Sequence, residues 1–213
     1  MAISKARGAW SAWTAVALNA VSEGAIIDTS LHYLTRLHIQ AFLDTAAATA
    51  HTGTQVIVQA FTGVDPAGLP AAIDEYWADH LTWDILVGTC NPEPQLHLTD
   101  PAPAGTVLFP VTSTTGYVVA DVAMPWIALQ DPTLANSELL QLTTVVGSTS
   151  LTVLDGTIRT HAKTTSIFGS IAYSQTIPIV TKDIMGIRVV INNNKDSNGA
   201  VMNWRFAWTA NLK

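Results

Sequence analysis

Cysteine is nearly missing from this chain of 213 residues: Cys90 stands alone, which excludes an intrachain disulfide and a cysteine-built zinc site. Stability must therefore come from packing. Charge is scarce as well. Asp, Glu, Lys and Arg make up 12% of the residues, against the usual value of about 25%. No strictly apolar run exceeds four residues, so neither a membrane helix of ~20 residues nor a signal-peptide core of ~7 to 15 is present. The expectation is a soluble protein made without export. With 48% apolar residues the chain is too hydrophobic and too weakly charged for intrinsic disorder. At this length folding hides roughly 70% of the extended chain's surface, enough for a proper core.

Lys and Arg are missing altogether from residue 37 to residue 158, a stretch that holds twelve acids. All ten bases and the other four acids lie in the flanks, which gives the net charge of −6. Such a middle repels nucleic acid, whose affinity depends on Lys and Arg releasing counterions. It reads either as a solvated acidic face or as a surface for a basic neighbour, because charge complementarity sets orientation.

The pattern along the chain is that of short strands. Met202, Trp204, Phe206 and Trp208 alternate in period two with smaller or polar residues, which puts four large groups on one face of a strand. Leu37, Ile39, Ala41 and Leu43 do the same, with Phe42 the one misfit on the polar side. Ile187, Val189 and Ile191 make a third stripe, and the Asn- and Gly-rich residues 192–199 suggest a hairpin to the last strand. Further strands are expected at 54–61, 82–89, 106–111, 117–122, 138–146, 150–155 and 166–179. A type II′ turn at Gly147-Ser148 joins two of them.

Helical spacing is weak. It occurs at 9–21, which reads equally as an N-terminal arm, and at 69–80, where Ile73, Tyr76, Trp77 and Leu81 share a face. Ten or so strands with regular turns predict an all-β protein: an antiparallel, jelly-roll-like β-sandwich with an N-terminal arm (1–23), a single β-sandwich domain (24–213), and at most one or two short helices.

Candidate chemistry is thin. Asn194, Asp196, Asn198 and Gly199 match the first half of a calcium loop, but Arg205 stands where the bidentate carboxylate belongs. A hairpin turn accounts for these residues through their tolerance of left-handed backbone. The six histidines show no metal spacing, and no nucleophile elbow, Walker loop or dinucleotide fingerprint occurs. Asp74, Glu75, Asp79 and Asp84 lie among Tyr76, Trp77 and Trp83, the residue types of a sugar cleft. A helix with an acidic outer face contains the same residues. No catalytic, cofactor or metal residue is assigned, and the chain is not expected to be an enzyme. Lys5, Arg7, Trp10 and Trp13 interleave bases with aromatics, but two cations release few counterions. An arm docking on a neighbouring subunit suits them better, with Trp10, Trp13 and Phe42 as interface residues because they are large apolar groups left over from the core stripes.

Residues 24–30 (Gly-Ala-Ile-Ile-Asp-Thr-Ser), 37–45, 51–59, 134–139, 154–157 and the C-terminal strands together resemble β-sandwich virion proteins of tailed bacteriophages, the head decoration, cement or neck components. The resemblance implies a non-enzymatic structural protein made in the host cytoplasm and located in the virion. Its partners would be further copies of itself, as a dimer or trimer, and other virion proteins such as the major capsid protein. No cofactor, nucleic acid or membrane is implied. A carbohydrate- or receptor-binding virion module, with Trp77, Trp83 and Trp126 as stacking platforms, is the alternative, and a hydrolase with converging Ser, His and Asp is a third.

Overall fold

In the computed structural model, which describes residues 4–44, 50–61, 77–86, 88–89, 95–114, 126–147, 149–163, 165–169, 172–194 and 200–212, every strand pairing is antiparallel. The two longest alternating stripes lie side by side. The strand β5 (His32–Asp44) pairs with β18 (Val201–Leu212) along almost its full length. On its other side β5 pairs with β16 (Ala172–Val180). The exposed flank of β18 takes β1 (Lys5–Gly8) and β2 (Thr14–Val16) end to end. This is the first sheet.

The second sheet runs in the order β3 (Val21–Glu23), β17 (Gly186–Asn192), β7 (Thr54–Phe61) and β8 (Ala78–Ile85), with β4 (Ile27–Asp28) also on β17. Leu37, Ile39, Ala41 and Leu43 from the first sheet meet Val56, Val58, Ile187, Val189 and Ile191 from the second in one buried cluster with Met202, Trp204 and Phe206. Each fully buried side chain of this kind contributes about 1.5–3 kcal/mol. The chain is therefore all-β, an antiparallel sandwich.

A third sheet has the order β10 (Gln95–His97), β15 (Ser166–Gly169), β12 (Trp126–Gln130), β13 (Glu138–Val146), β14 (Ser150–Val153) and β11 (Leu108–Pro110). It buries its own cluster around Phe109, Leu129, Leu151 and Ile167. A two-stranded ribbon, β6 (Ala50–His51) and β9 (Gly88–Thr89), completes the strands. The 3₁₀ turn Leu134–Asn136 stands alone as helix among the described residues.

Several expectations change; among them, the one strand expected at 166–179 is two, β15 in the third sheet and β16 in the first. Helix at 9–21 is overturned, because β18 and β17 both have free edges and the arm satisfies them: β1 and β2 lie on the first sheet, β3 on the second. The arm pairs with strands of its own chain. The expected helix at 69–80 falls largely outside the described residues, and the part within them is strand from Ala78. The C-terminal hairpin does not form either. Although 187–192 and 201–212 are both strands, they belong to different sheets, so residues 193–200 connect the two layers. Gly147 lacks the positive φ of a type II′ turn. Val146 faces Ser150, so three residues rather than two close that hairpin. The expected strand at 117–122, Cys90 and most of the Asn-rich turn (195–199) lie outside the described residues.

Buried Asn193 holds the layer crossing together. Its Nδ2 donates to the carbonyls of Val16 (3.2 Å), Ala17 (3.1 Å) and Ala200 (3.0 Å), and its Oδ1 accepts from Thr54 Oγ1 at 3.1 Å. Gly8 is needed where the arm passes Trp208, because a Cβ there would lie 2.2 Å from the indole nitrogen.

Candidate interaction surface

The outer face of the first sheet carries the polar halves of the alternating stripes, and its character changes along β5 and β18. At one end Phe42, fully buried, packs with Trp13, Ala128 and Leu139, so β12 and β13 of the third sheet cover it. The misfit of the β5 pattern is thus the residue on which the third sheet sits. Trp13 lies edge-on to Phe42, with ring centroids 5.2 Å apart, and its Nε1 donates to the Ser137 carbonyl at 2.9 Å.

In the middle of the face the Arg205 guanidinium lies between two indoles, 4.8 Å from the Trp10 ring and 4.5 Å from the Trp13 ring. Its Nε donates to Gln40 Oε1 at 2.8 Å. Burial lowers the Arg205 pKa from its ordinary value; nearby Glu138 opposes the shift and Arg159 adds to it. Cation–π contacts of this kind contribute about 0.5–2 kcal/mol, more when desolvated. His38 follows, with Nδ1 2.7 Å from Thr176 Oγ1 and Nε2 3.4 Å from Thr209 Oγ1. Its pKa is lowered, first by burial and then by Arg36. At the far end an open groove of about 690 Å³ is lined by Lys5, Ala6, Arg7, Arg36, Thr209, Ala210 and Asn211.

Of the three expected interface residues, only Trp10 is at the surface, 43% exposed. Trp13 and Phe42 are buried within the chain, against Ala128 and Leu139 of the third sheet. The proposed sugar platforms do not form a row. Trp77 is buried with the Arg188 guanidinium 4.9 Å from its ring centroid. Trp83 packs against the sandwich core and donates to Tyr173 Oη at 3.2 Å, and Trp126 packs beside Leu139 and Phe42. Among the described residues no second carboxylate pairs with Asp79, and Asp74 and Glu75 lie outside them. Asp79 accepts from Gln59, which accepts from Arg188, which pairs with Glu23, in a chain across all four strands of the second sheet.

Two carboxylates and an imidazole meet at a site that residue spacing did not reveal. Glu138 and His161 are buried in the third sheet, with His161 Nε2 3.1 Å from Glu138 Oε1 and Nδ1 3.8 Å from Asp131 Oδ2. Glu138 also accepts the backbone N–H groups of Ile158 and Arg159, at 2.8 and 2.7 Å. Burial pushes its pKa up, but hydrogen bonds from His161, Ile158 and Arg159 outweigh burial and hold the pKa below the ordinary carboxylate range. Among the described residues no hydroxyl hydrogen-bonds to His161. The arrangement clamps residues 158–161 onto β13.

Large apolar side chains are exposed elsewhere. Leu31, Tyr33, Val180 and Met185, each 41–69% exposed, gather at one end of the sandwich, where Thr181 N–H donates to the Tyr33 carbonyl and Thr29 N–H to that of Met185. Leu108 and Val146 are exposed on the third sheet, with Val107 and Leu154 at its rim.

No family model matches the chain, and no curated protein matches it. Among solved structures it is similar to VP17, a capsid protein of bacteriophage P23-77, at 10% identity over 97% of this chain and 98% of that one, with a TM-score of 0.21.

Proposed function

We propose that this chain is a non-enzymatic structural protein of a phage particle, a head decoration, cement or neck-type component, that acts through contacts with copies of itself and with other virion proteins. The observation that carries this reading is the group of exposed apolar side chains, Leu31, Tyr33, Val180 and Met185, at one end of an all-β body. Interface cores lack charge and favour aromatics and Met, and exposed apolar patches on soluble proteins mark contact sites. The low charge of the chain and its resemblance to phage virion proteins support the same reading.

The test is the light-scattering mass of the purified chain. An oligomer should have two or three times the 22.7 kDa chain mass, and Tyr33→Glu with Val180→Glu should return it to one chain mass. A wild-type chain that stays at one chain mass at high concentration, and fails to bind purified capsids, counts against the proposal.

A further inference from the structure

The groove at the far end of the first sheet collects cations from distant parts of the chain. Lys5 and Arg7 come from β1 and Arg36 from β5, with Thr209 and Asn211 of β18 between them. The strand register sets Arg7 and Arg36 on either side of Thr209 and puts Lys5 beside Asn211. The volume of about 690 Å³ falls in the range of small-molecule sites, about 300–1,000 Å³. Among the described residues no carboxylate lines it. Among the described residues none of the three cations has an ion pair or a side-chain hydrogen bond. Three like charges left unpaired in a protein of net charge −6 repel one another, and a bound anion relieves that repulsion.

The neighbourhood of the groove adds an aromatic. Thr209, a lining residue, contacts His38, and the Trp10 ring lies 6.5 Å from the His38 ring with 43% of the residue open to solvent. Arg205 holds the indole from one side at 4.8 Å. A positive groove beside an aromatic platform is what phosphate-bearing aromatic ligands use: guanidinium forks match phosphate oxygens, and a base stacks on the ring.

We propose that this groove binds the phosphates of a nucleotide, either free or within a single strand, and that Trp10 receives a base. Lys5 and Arg7 alone would release few counterions; folding adds Arg36 beside them and Arg205 behind Trp10.

The experiment uses the full chain with a fluorescein-labelled oligothymidylate, followed by polarisation at low and raised salt. Unlabelled ATP, inorganic triphosphate and poly-glutamate serve as competitors. Three phosphate contacts give a log–log salt slope of about −2 for a single strand. Arg7→Gln combined with Arg36→Gln should weaken binding about tenfold or more, while Lys163→Gln, an exposed change outside the groove, leaves it unchanged. Trp10→Leu should weaken oligothymidylate and ATP about fivefold or more, since stacking one base contributes that much, and should leave triphosphate unaffected.

Stronger competition by ATP than by an equal concentration of unlabelled oligothymidylate identifies the free nucleotide as the source, and the reverse identifies the strand. The indole N–H signal of Trp10 in the wild-type protein should shift on adding either ligand, a measurement that needs no variant. The proposal is overturned by no binding at low salt, by a double variant that binds like wild type, by triphosphate losing as much affinity as ATP in Trp10→Leu, or by poly-glutamate displacing the probe better than the oligonucleotide does.

Discussion

The two ends of the first sheet's outer face are built from the same strands and differ in everything else. Around Phe42 the face is apolar, crossed by Trp13 and sealed by the third sheet. Six residues back along β5, at Arg36, it is cationic and open. β5 alternates through both regions without a break, so strand formation itself is indifferent to which end is covered. What differs is the side chain opposite each site. Apolar surface from β12, β13 and the arm converges on Phe42, whereas the described residues lining the groove at Arg36 are the cations Lys5 and Arg7 with small side chains of β1 and β18.

Substitutions at the two ends should therefore separate sharply. Phe42→Ala removes a fully buried ring between two layers and should cost about 3–5 kcal/mol, read as a large loss in a denaturant melt. A loss as small as that of a surface change would mean that the third sheet does not rest on this residue. Next in size, Glu138→Gln replaces a charge-assisted acceptor of three donors and should cost about 2 kcal/mol at neutral pH. Its dependence on pH has a definite sign. The folded pKa of Glu138 lies below the unfolded value, so its contribution is complete above the ordinary carboxylate range and is lost as pH falls through the folded value. Wild type and variant should thus converge in acid, and a gap that stays constant with pH contradicts the clamp.

Trp13→Phe keeps the ring against Phe42 but loses the Nε1 donor to Ser137 and weakens the stack on Arg205, which should cost about 1 kcal/mol. The smallest effect belongs to the open end. Arg36→Gln should leave the melt within about 0.5 kcal/mol of wild type, yet the His38 titration, followed by NMR, should move up toward its ordinary value because a repelling charge is gone. In the wild type the depressed His38 pKa means the neutral ring is favoured in the folded state. Stability is therefore lost as pH falls from the unfolded value through the folded one, and Arg36→Gln narrows that window. An unmoved His38 titration would separate the imidazole from the groove.

Much of this was legible in the sequence where the evidence was local. The strands at Thr54–Phe61 and Glu138–Val146 begin and end where their alternation and flanking turns place them, and the inward stripes of β5 and β18 are the ones their parity predicts. The hairpin between 187–192 and 201–212 failed for a physical reason. Alternation gives each strand a buried face but carries no information about its partner, and a polar connection can cross between layers as readily as it can turn back. Asn193, which holds that crossing, looked like one more turn residue in an Asn-rich run. Its importance comes from carbonyls of the arm and of Ala200 that only the fold brings within reach. The clamp at Glu138 was hidden in the same way, because His161 lies 23 residues away on a different segment.

The amino-acid order alone determined that this protein is built of antiparallel strands, that it relies on packing without disulfides, and that its bases sit in its flanks, because each of these follows from residue type and short-range periodicity. The tertiary structure alone decided that Phe42 is a seat for the third sheet rather than a surface contact, that the arm closes its own chain's edges, and that Lys5, Arg7 and Arg36 share one groove. Those outcomes depend on which strands become neighbours, and that choice is made by the summed burial of many distant side chains rather than by any local pattern.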